Sequence, residues 1–157
     1  MDFYLPKSMD FSLPFTTDYV FDGLSVEPQS EDKETRPINY YGYTKEQGEK
    51  IVRKLLDKYF IIRTSWLYGS NGKNFVETIL ELDRTNNEIN VVMDQIGSPT
   101  YSKDLAVLVC DMIQTTKYGI YHGVNEGYCS WYEFAKVILQ KINMNSFEDA
   151  GVKVKPI

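Results

Sequence analysis

The chain of 157 residues is 43% hydrophobic and 25% charged, with a formal net charge of −5. These values are ordinary for one globular domain. The acidic balance, without any run of Lys or Arg, argues against a nucleic-acid-binding surface. No apolar stretch approaches the ~20 residues of a membrane-spanning helix, and no signal peptide is visible. The two cysteines lack the spacing of a metal site, so a reducing, cytoplasmic location is the default expectation.

The first part of the chain predicts a strand and a long loop. Residues 1–14 hold two prolines and show no clear periodicity. Residues 15–21 are rich in β-branched and aromatic side chains and end at Asp22 and Gly23, which is typical of a strand that closes in a turn. Residues 24–38 are polar, contain two further prolines and predict a loop.

A helix is predicted over about residues 42–58. Apolar side chains recur there at helical spacing, at Ile51, Val52, Leu55, Leu56 and Tyr59. Because such a stripe normally faces the core, the pattern places Glu49 and the neighbouring charged residues on the solvent side.

The remainder of the chain alternates between strands and helices. The predicted strands cover residues 59–64, 89–93, 118–124 and 152–154. Two predicted helices begin at capping boxes, one formed by Asn74 with Glu77 and the other by Ser130 with Glu133. They end near residues 82 and 142, and a strongly apolar helix lies over residues 105–113. This alternation predicts βαβ units and an α/β fold with a mostly parallel sheet.

Tyr41 and Lys45 form the candidate catalytic pair. Positions i and i+4 share one face of a helix, so the phenol and the ammonium can point into one cleft. A nearby cation favours the phenolate form of a tyrosine, which then exchanges a proton more readily with a substrate oxygen. Spacing alone is weak support, because 12 tyrosines in 157 residues supply about one such pair by chance. Tyr132 and Lys136 have the same spacing but no companion motif.

Five motifs in a fixed order distinguish the first pair from the second. They are Thr-Thr-Asp-Tyr-Val-Phe-Asp-Gly at 16–23, Pro-x-Asn-x-Tyr-Gly-x-Thr-Lys at 37–45, Arg-Thr-Ser-Trp-Leu-Tyr-Gly at 63–69, Asn-Phe-Val at 74–76 and Asp-Gln-Ile-Gly-Ser-Pro-Thr at 94–100. Together they resemble the extended short-chain dehydrogenase/reductase family, and within it the dTDP-4-dehydrorhamnose reductases. The resemblance covers about residues 15–157.

The resemblance implies a role for five residues. Tyr41 resembles the proton donor, and Lys45 resembles the residue that tunes Tyr41 and binds the nicotinamide ribose, so both are expected to contact the cofactor. Thr17 looks like the hydroxyl that hydrogen-bonds the keto oxygen of the substrate, and Asp18 looks like a neighbouring substrate contact. Trp66 looks like a platform for the nucleotide-sugar. Without the family context, turn chemistry would account for Thr17 and Asp18, and a core position would account for Trp66.

The implied reaction reduces the C4 ketone of dTDP-6-deoxy-L-lyxo-4-hexulose to dTDP-L-rhamnose, a precursor of cell-surface polysaccharide. The expected cofactor is NADPH or NADH, and the expected partner is a dTDP-sugar. The implied fold is a partial doubly wound, Rossmann-like parallel sheet. Residues 15–157 would form the C-terminal part of the NAD(P)-binding fold and merge into part of a small substrate domain, preceded by an atypical segment at 1–14.

The sequence departs from the family pattern at three places. The sequence contains no Gly-x-x-Gly-x-x-Gly motif, whose backbone holds the cofactor pyrophosphate at a helix N-terminus. The last predicted strand also leads to substrate-domain elements of the family that the sequence lacks. We therefore expect a chain truncated at both ends, with little activity alone and an exposed sheet edge open to self-association. Some members of the family also use a glutamate near the Gly-x-Pro-Thr turn to bind magnesium. Because Lys103 stands there, no metal site is predicted.

Two other readings of the sequence remain open. Another extended short-chain enzyme, such as a sugar-nucleotide epimerase, is disfavoured by Trp66, because epimerases usually lack Trp at that position. A non-catalytic subunit is the second reading, since a reductase-like chain regulates methionine adenosyltransferase in some organisms. The presence of Thr17, Tyr41 and Lys45 argues mildly against it.

Overall fold

The computed structural model describes residues 10–25, 27–143 and 153–157. Most of the predicted segment 1–14 therefore lies outside the described residues, as does the first residue of the strand predicted at 152–154. Within the described residues, strands and helices alternate along the chain. In order they are β1 (Phe15–Thr17), α1 (Tyr40–Leu55), β2 (Phe60–Thr64), β3 (Leu67–Tyr68), α2 (Phe75–Thr85), β4 (Glu88–Val91), β5 (Ile96–Gly97), β6 (Thr100–Tyr101), α3 (Ser102–Met112), β7 (Gly119–His122), β8 (Cys129–Ser130), α4 (Trp131–Asn143) and β9 (Lys153–Pro156).

The strand predicted at 15–21 is shorter than expected. It ends at Thr17, because Asp18–Val20 form one turn of 3-10 helix. The Thr17 side chain caps this turn by accepting a hydrogen bond from the backbone N–H of Tyr19. Tyr19, Val20 and Phe21 are aromatic or β-branched, so their propensity alone favours a strand, which explains the overextension.

The chain divides into two compact units. The first contains the described residues up to Thr64 together with Leu108–Gly123. Its sheet has the order β1-β2-β7, with both pairs parallel. In the register, Thr16 lies opposite Arg63, which in turn lies opposite His122. The predicted α/β architecture with a parallel sheet is confirmed.

Strand β2 forms the centre of the first unit. Phe60, Ile61 and Ile62 are fully buried, as expected for a short apolar run in a parallel sheet. The charged residue that follows them, Arg63, is also buried. A buried guanidinium needs a compensating partner, and α1 provides it.

The predicted orientation of helix α1 is wrong. Glu49, expected to face solvent, is buried, whereas Ile51 and Leu55 are 56% and 70% exposed. Periodicity assigns the inner face of a helix by its apolar residues. Here the ion pair between Glu49 and Arg63 compensates a buried carboxylate, so the polar side of the helix faces the sheet.

The second unit contains Ser65–Val107 and the described residues from Val124 onward. Its core is formed by apolar side chains of α2, β4 and α4, namely Ile79, Ile89, Val91, Ala135, Ile138 and Leu139. Strands β3 and β6 and strands β4 and β9 pair in parallel, while β5 and β8 pair antiparallel.

Both helix starts predicted in the second unit are confirmed. The Asn74 side chain accepts a hydrogen bond from the backbone N–H of Glu77 at the start of α2. At α4 the capping box is reciprocal. The Ser130 hydroxyl accepts from the Glu133 backbone N–H, and the Glu133 carboxylate accepts from the Ser130 backbone N–H at 2.7 Å. None of the described helices has the length and apolar character needed to span a membrane.

Candidate active site

Helix α1 presents Tyr41 and Lys45 beside strand β1. The helix begins where the Asn39 side chain accepts a hydrogen bond from the backbone N–H of Gly42 at 2.7 Å. The Lys45 Nζ lies 5.7 Å from the centroid of the Tyr41 ring and donates a long hydrogen bond, 3.5 Å, to the carbonyl oxygen of Phe15. The ammonium therefore links the Tyr41 side of the helix to the strand.

Gly42 allows α1 to approach the 3-10 turn closely. A Cβ atom at this position would overlap the carbonyl oxygen of Tyr19 and would lie 2.9 Å from its carbonyl carbon. The rings of Tyr19 and Tyr41 meet edge to face with centroids 5.9 Å apart. Tyr41 is 53% exposed. The phenol thus lies against the 3-10 turn and still faces solvent.

Thr17 and Asp18 are joined at the end of β1. The buried Thr17 hydroxyl donates to Asp18 Oδ1 at 2.9 Å. Burial raises the pKa of the Asp18 carboxyl above its ordinary value, although hydrogen bonds from Thr17 and from the backbone N–H groups of Asp18 and Tyr19 lower it. To donate to a ligand, the Thr17 hydroxyl must first leave Asp18.

Trp66 belongs to the second unit and is described within it. Its backbone has φ +46°, in the left-handed region that non-glycine residues seldom adopt. Its ring stacks on that of Trp131, with centroids 3.5 Å apart and an interplanar angle of 10°. A Cβ at Gly97 would lie 2.5 Å from Trp66 Cε2. The strained backbone is therefore held by packing on both Trp131 and Gly97, and Trp131 covers one face of the ring.

The comparison pair, Tyr132 and Lys136, has nearly the same local geometry. The Lys136 Nζ lies 5.3 Å from the centroid of the Tyr132 ring, against 5.7 Å for Lys45 and Tyr41. The i, i+4 spacing alone therefore brings a lysine ammonium close to a tyrosine ring in both helices. The surroundings of the two pairs differ. The Tyr41 ring meets Tyr19 and the Lys45 ammonium donates to Phe15, whereas Tyr132 packs against the core of the second unit.

Sequence reasoning missed a buried polar network next to this pair. It consists of Thr16, Glu49 and Arg63, linked by four hydrogen bonds. Two signals could have revealed it. Arg63 directly follows an apolar strand, and Glu49 stands four residues after Lys45, which places it on the same side of the helix.

His122, predicted to be structural, packs against Phe21 with ring centroids 5.8 Å apart. Burial lowers its pKa, although the nearby Glu31 carboxylate acts in the opposite direction. The described residues contain no group of three or more His, Cys, Asp or Glu side chains suited to a metal ion. Lys103 and Asp104 occupy the first turn of α3.

The chain is similar to proteins of one family. The family described as "RmlD substrate binding domain" matches residues 13–157. The spore coat polysaccharide biosynthesis protein SpsK of Bacillus subtilis (strain 168) is 48% identical over 131 residues, which are 83% of this chain and 46% of that protein. The dTDP-4-keto-6-deoxy-D-glucose reductase of Streptomyces niveus is 39% identical over 143 residues, 90% of this chain and 48% of that protein.

A solved structure shares the fold. The dTDP-4-dehydrorhamnose reductase of Bacillus anthracis str. Ames, in complex with NADP, matches with a TM-score of 0.86 and 48% identity. The match covers 92% of this chain and 50% of that one. The predicted Rossmann-like fold class and the resemblance to this family of reductases are confirmed. The chain spans about half the length of the curated relatives that it matches.

Proposed function

The chain belongs to the family of the RmlD substrate binding domain, and from this premise we propose that it carries the proton-transfer part of a reductase for the C4 ketone of a dTDP-sugar. The observation that supports this most directly is the placement of Lys45 between the Tyr41 ring and strand β1. The product of the proposed reaction is dTDP-L-rhamnose, made from dTDP-6-deoxy-L-lyxo-4-hexulose.

Tyr41 is the proposed proton donor. As the C4 carbonyl becomes an alkoxide, the phenol would donate its proton to that oxygen. The ammonium of Lys45, 5.7 Å from the centroid of the Tyr41 ring, would stabilise the negative charge that develops on the phenol oxygen as the proton leaves. The exposure of Tyr41 leaves its hydroxyl accessible to a substrate.

Thr17, Asp18 and Trp66 are the proposed substrate contacts. The Thr17 hydroxyl would turn from Asp18 to the keto oxygen and stabilise its developing charge. Asp18 would then accept a hydrogen bond from another group of the sugar. Trp66, whose side chain is half-buried, would contact the nucleotide-sugar through the part of its ring that Trp131 and Gly97 leave exposed.

The donor set of this chain fits one part of a nicotinamide cofactor. The Lys45 ammonium and the Tyr41 hydroxyl suit the ribose hydroxyls next to the nicotinamide, while the glycine-rich pyrophosphate motif is not in the sequence. A bound NADPH or NADH would supply the hydride. The names of the relatives, a dTDP-4-keto-6-deoxy-D-glucose reductase and an NADP-bound dTDP-4-dehydrorhamnose reductase, support this choice of substrate class and cofactor. Because Cys110 and Cys129 are free thiols, we place the reaction in a reducing, cytoplasmic compartment.

A chimera tests the proposal most directly. The part of the B. anthracis reductase that this chain does not cover would be fused to residues 13–157, and NADPH oxidation would be measured with the 4-keto sugar nucleotide. We expect Tyr41→Phe to lower kcat at least about 100-fold, the lower end of what general acid catalysis contributes. Tyr132→Phe and Lys136→Met are the matched controls and should leave kcat within about twofold, because they alter a pair with the same spacing and no role in the proposed chemistry.

Two results would contradict the proposal. One is a chimera that binds dTDP and NADPH but turns over no 4-keto sugar. The other is a Tyr41→Phe chimera that is as active as its Tyr132→Phe control. We expect the 157-residue chain alone to show little or no activity, so substrate-dependent oxidation that vanishes in Tyr41→Phe would overturn that expectation.

A further inference from the structure

We propose that Glu49 and Arg63 are positioning residues that fix Tyr41 and Lys45 relative to strand β1. The inference rests on the proposed function for its catalytic meaning. It assigns a role to a buried ion pair that the proposed reaction itself does not use.

The pair is buried and has the geometry of a fork. Glu49 and Arg63 are 4% and 3% exposed. Arg63 Nε donates to Glu49 Oε1 at 3.0 Å, and Arg63 Nη2 donates to Oε2 at 2.7 Å. Two parallel charge-assisted hydrogen bonds fix direction as well as distance. The carboxylate can therefore neither slide along the strand nor rotate without breaking one of them.

The same carboxylate connects the two halves of the candidate site. The Thr16 hydroxyl donates to Glu49 Oε1 at 2.9 Å, and Thr16 directly precedes Thr17 on β1. On α1, Glu49 follows Lys45 by four residues and Tyr41 by eight, so all three lie on one side of the helix. Glu49 thus links the strand that carries the substrate contact to the helix that carries the proton donor.

Apolar burial on this helix is slight within the described residues, where Val52 of the predicted apolar stripe is only half-buried. The buried positions of α1 are Gly42, Glu46 and Glu49, while Ile51 and Leu55 are largely exposed. Dispersion contacts are non-directional and individually weak, whereas a fork of hydrogen bonds defines one register. Glu46 and Glu49 differ in what they bind. Glu46 accepts from the Thr35 hydroxyl and pairs with Lys50, neither of which is on the sheet.

Arg63 also holds the loop that leads into α1. Its Nη1 donates to the carbonyl oxygen of Glu31 at 3.1 Å, and its guanidinium lies 5.1 Å from the centroid of the Phe21 ring. Arginine alone among the side chains offers a planar fork and a third donor direction at once. A lysine would keep the charge and lose this geometry.

The test uses the full 157-residue chain labelled with 3-fluorotyrosine. The Tyr41 signal is assigned with Tyr41→Phe, and its contact to the Tyr19 ring is followed by NMR. We expect Glu49→Gln and Arg63→Lys to shift or broaden the Tyr41 signal and to weaken that contact. Glu46→Gln is the matched control, a buried carboxylate of the same helix, and should leave both unchanged. Thr16→Val removes one hydrogen bond at nearly constant shape and provides a milder variant in case Glu49→Gln does not fold.

The outcomes separate positioning from mere stability. A folded Glu49→Gln or Thr16→Val chain with an unchanged Tyr41 signal and an unchanged contact to Tyr19 would overturn the proposal, even if its Tm were lower. Equal changes in Glu46→Gln would overturn it as well.

Kinetics provide a second measurement that depends on the proposed function. In the chimera described above, Glu49→Gln should lower kcat at least about tenfold, because misplacing a catalytic group by about 1 Å is enough for such a loss. KM should stay within about twofold, because the substrate contacts remain. A wild-type chimera without turnover would count against the proposed function, and the tyrosine signals would still decide the positioning role. A lowered kcat together with an equal rise in KM would overturn the positioning role of Glu49.

Discussion

Alanine substitutions at two glycines of helix α1 should have opposite effects on the stability of the chain. In Gly42→Ala the new Cβ would overlap the Tyr19 carbonyl oxygen, lie 2.9 Å from its carbon and lie 3.1 Å from Pro37 Cβ. The Tyr19 carbonyl belongs to the backbone and cannot move aside like a flexible side chain. The overlap should therefore lower the free energy of unfolding by about 3 kcal/mol, near the upper end of what overpacking costs. Alanine has a higher helix propensity than glycine, which stabilises the helix by about 1 kcal/mol. The net decrease in the free energy of unfolding is then about 2 kcal/mol.

Gly48→Ala is the matched control. A Cβ at Gly48 meets nothing within 4 Å, so alanine should stabilise the chain by about 0.5–1 kcal/mol through the unfolded state and helix propensity. For a chain of this size 1 kcal/mol corresponds to a change of about 2–4 °C in Tm. Thermal and urea unfolding should therefore lower Tm by about 4–8 °C in Gly42→Ala and raise it by about 1–4 °C in Gly48→Ala. Equal stability of the two variants would refute the close approach of α1 to the 3-10 turn.

Three further predictions concern other parts of the chain. Hydrogen bonds from the backbone and the hydroxyl of Ser130 hold the pKa of Glu133 below its ordinary value of 4.5. The stabilisation of the folded chain by these hydrogen bonds is fully present above the ordinary pKa of 4.5. It is lost as the pH falls through the lower pKa of the folded state. Urea unfolding of Glu133→Gln should show a weaker loss of stability at acid pH, and an unchanged pH profile would contradict the capping box. Gly97→Ala should displace the Trp66 ring and alter the near-ultraviolet circular dichroism of the Trp66 and Trp131 stack, whereas the Gly48→Ala spectrum should match the wild type. Strand β1 is an edge of its sheet within the described residues, so we expect concentration-dependent self-association; sedimentation of a monomer at every concentration would count against it.

Much of the fold follows from local sequence. The β-rich run at 59–64 predicts a buried strand, and the structure has one at Phe60–Thr64. The caps at Asn74 and Ser130 predict where α2 and α4 begin, because each cap is completed within four residues of chain. Such signals depend on neighbours along the chain and need no tertiary contact to be read. The ordered motifs around Tyr41 and Lys45 likewise identified the family, although the spacing of the pair did not.

Only the tertiary structure determined which side of α1 faces the sheet. The apolar stripe of that helix predicts the opposite side, and the prediction fails because Arg63 compensates the buried charge of Glu49. A partner 14 residues away in sequence leaves no periodic signal in the helix. The link between the Thr17 hydroxyl and Asp18, and the stack of Trp66 on Trp131, also depend on side-chain geometry. The sequence alone therefore determines the order of the main helices and strands, but not the 3-10 turn at Asp18–Val20 or the two-residue strands. How the helix that carries Tyr41 lies against the sheet depends on contacts between groups that only folding brings together.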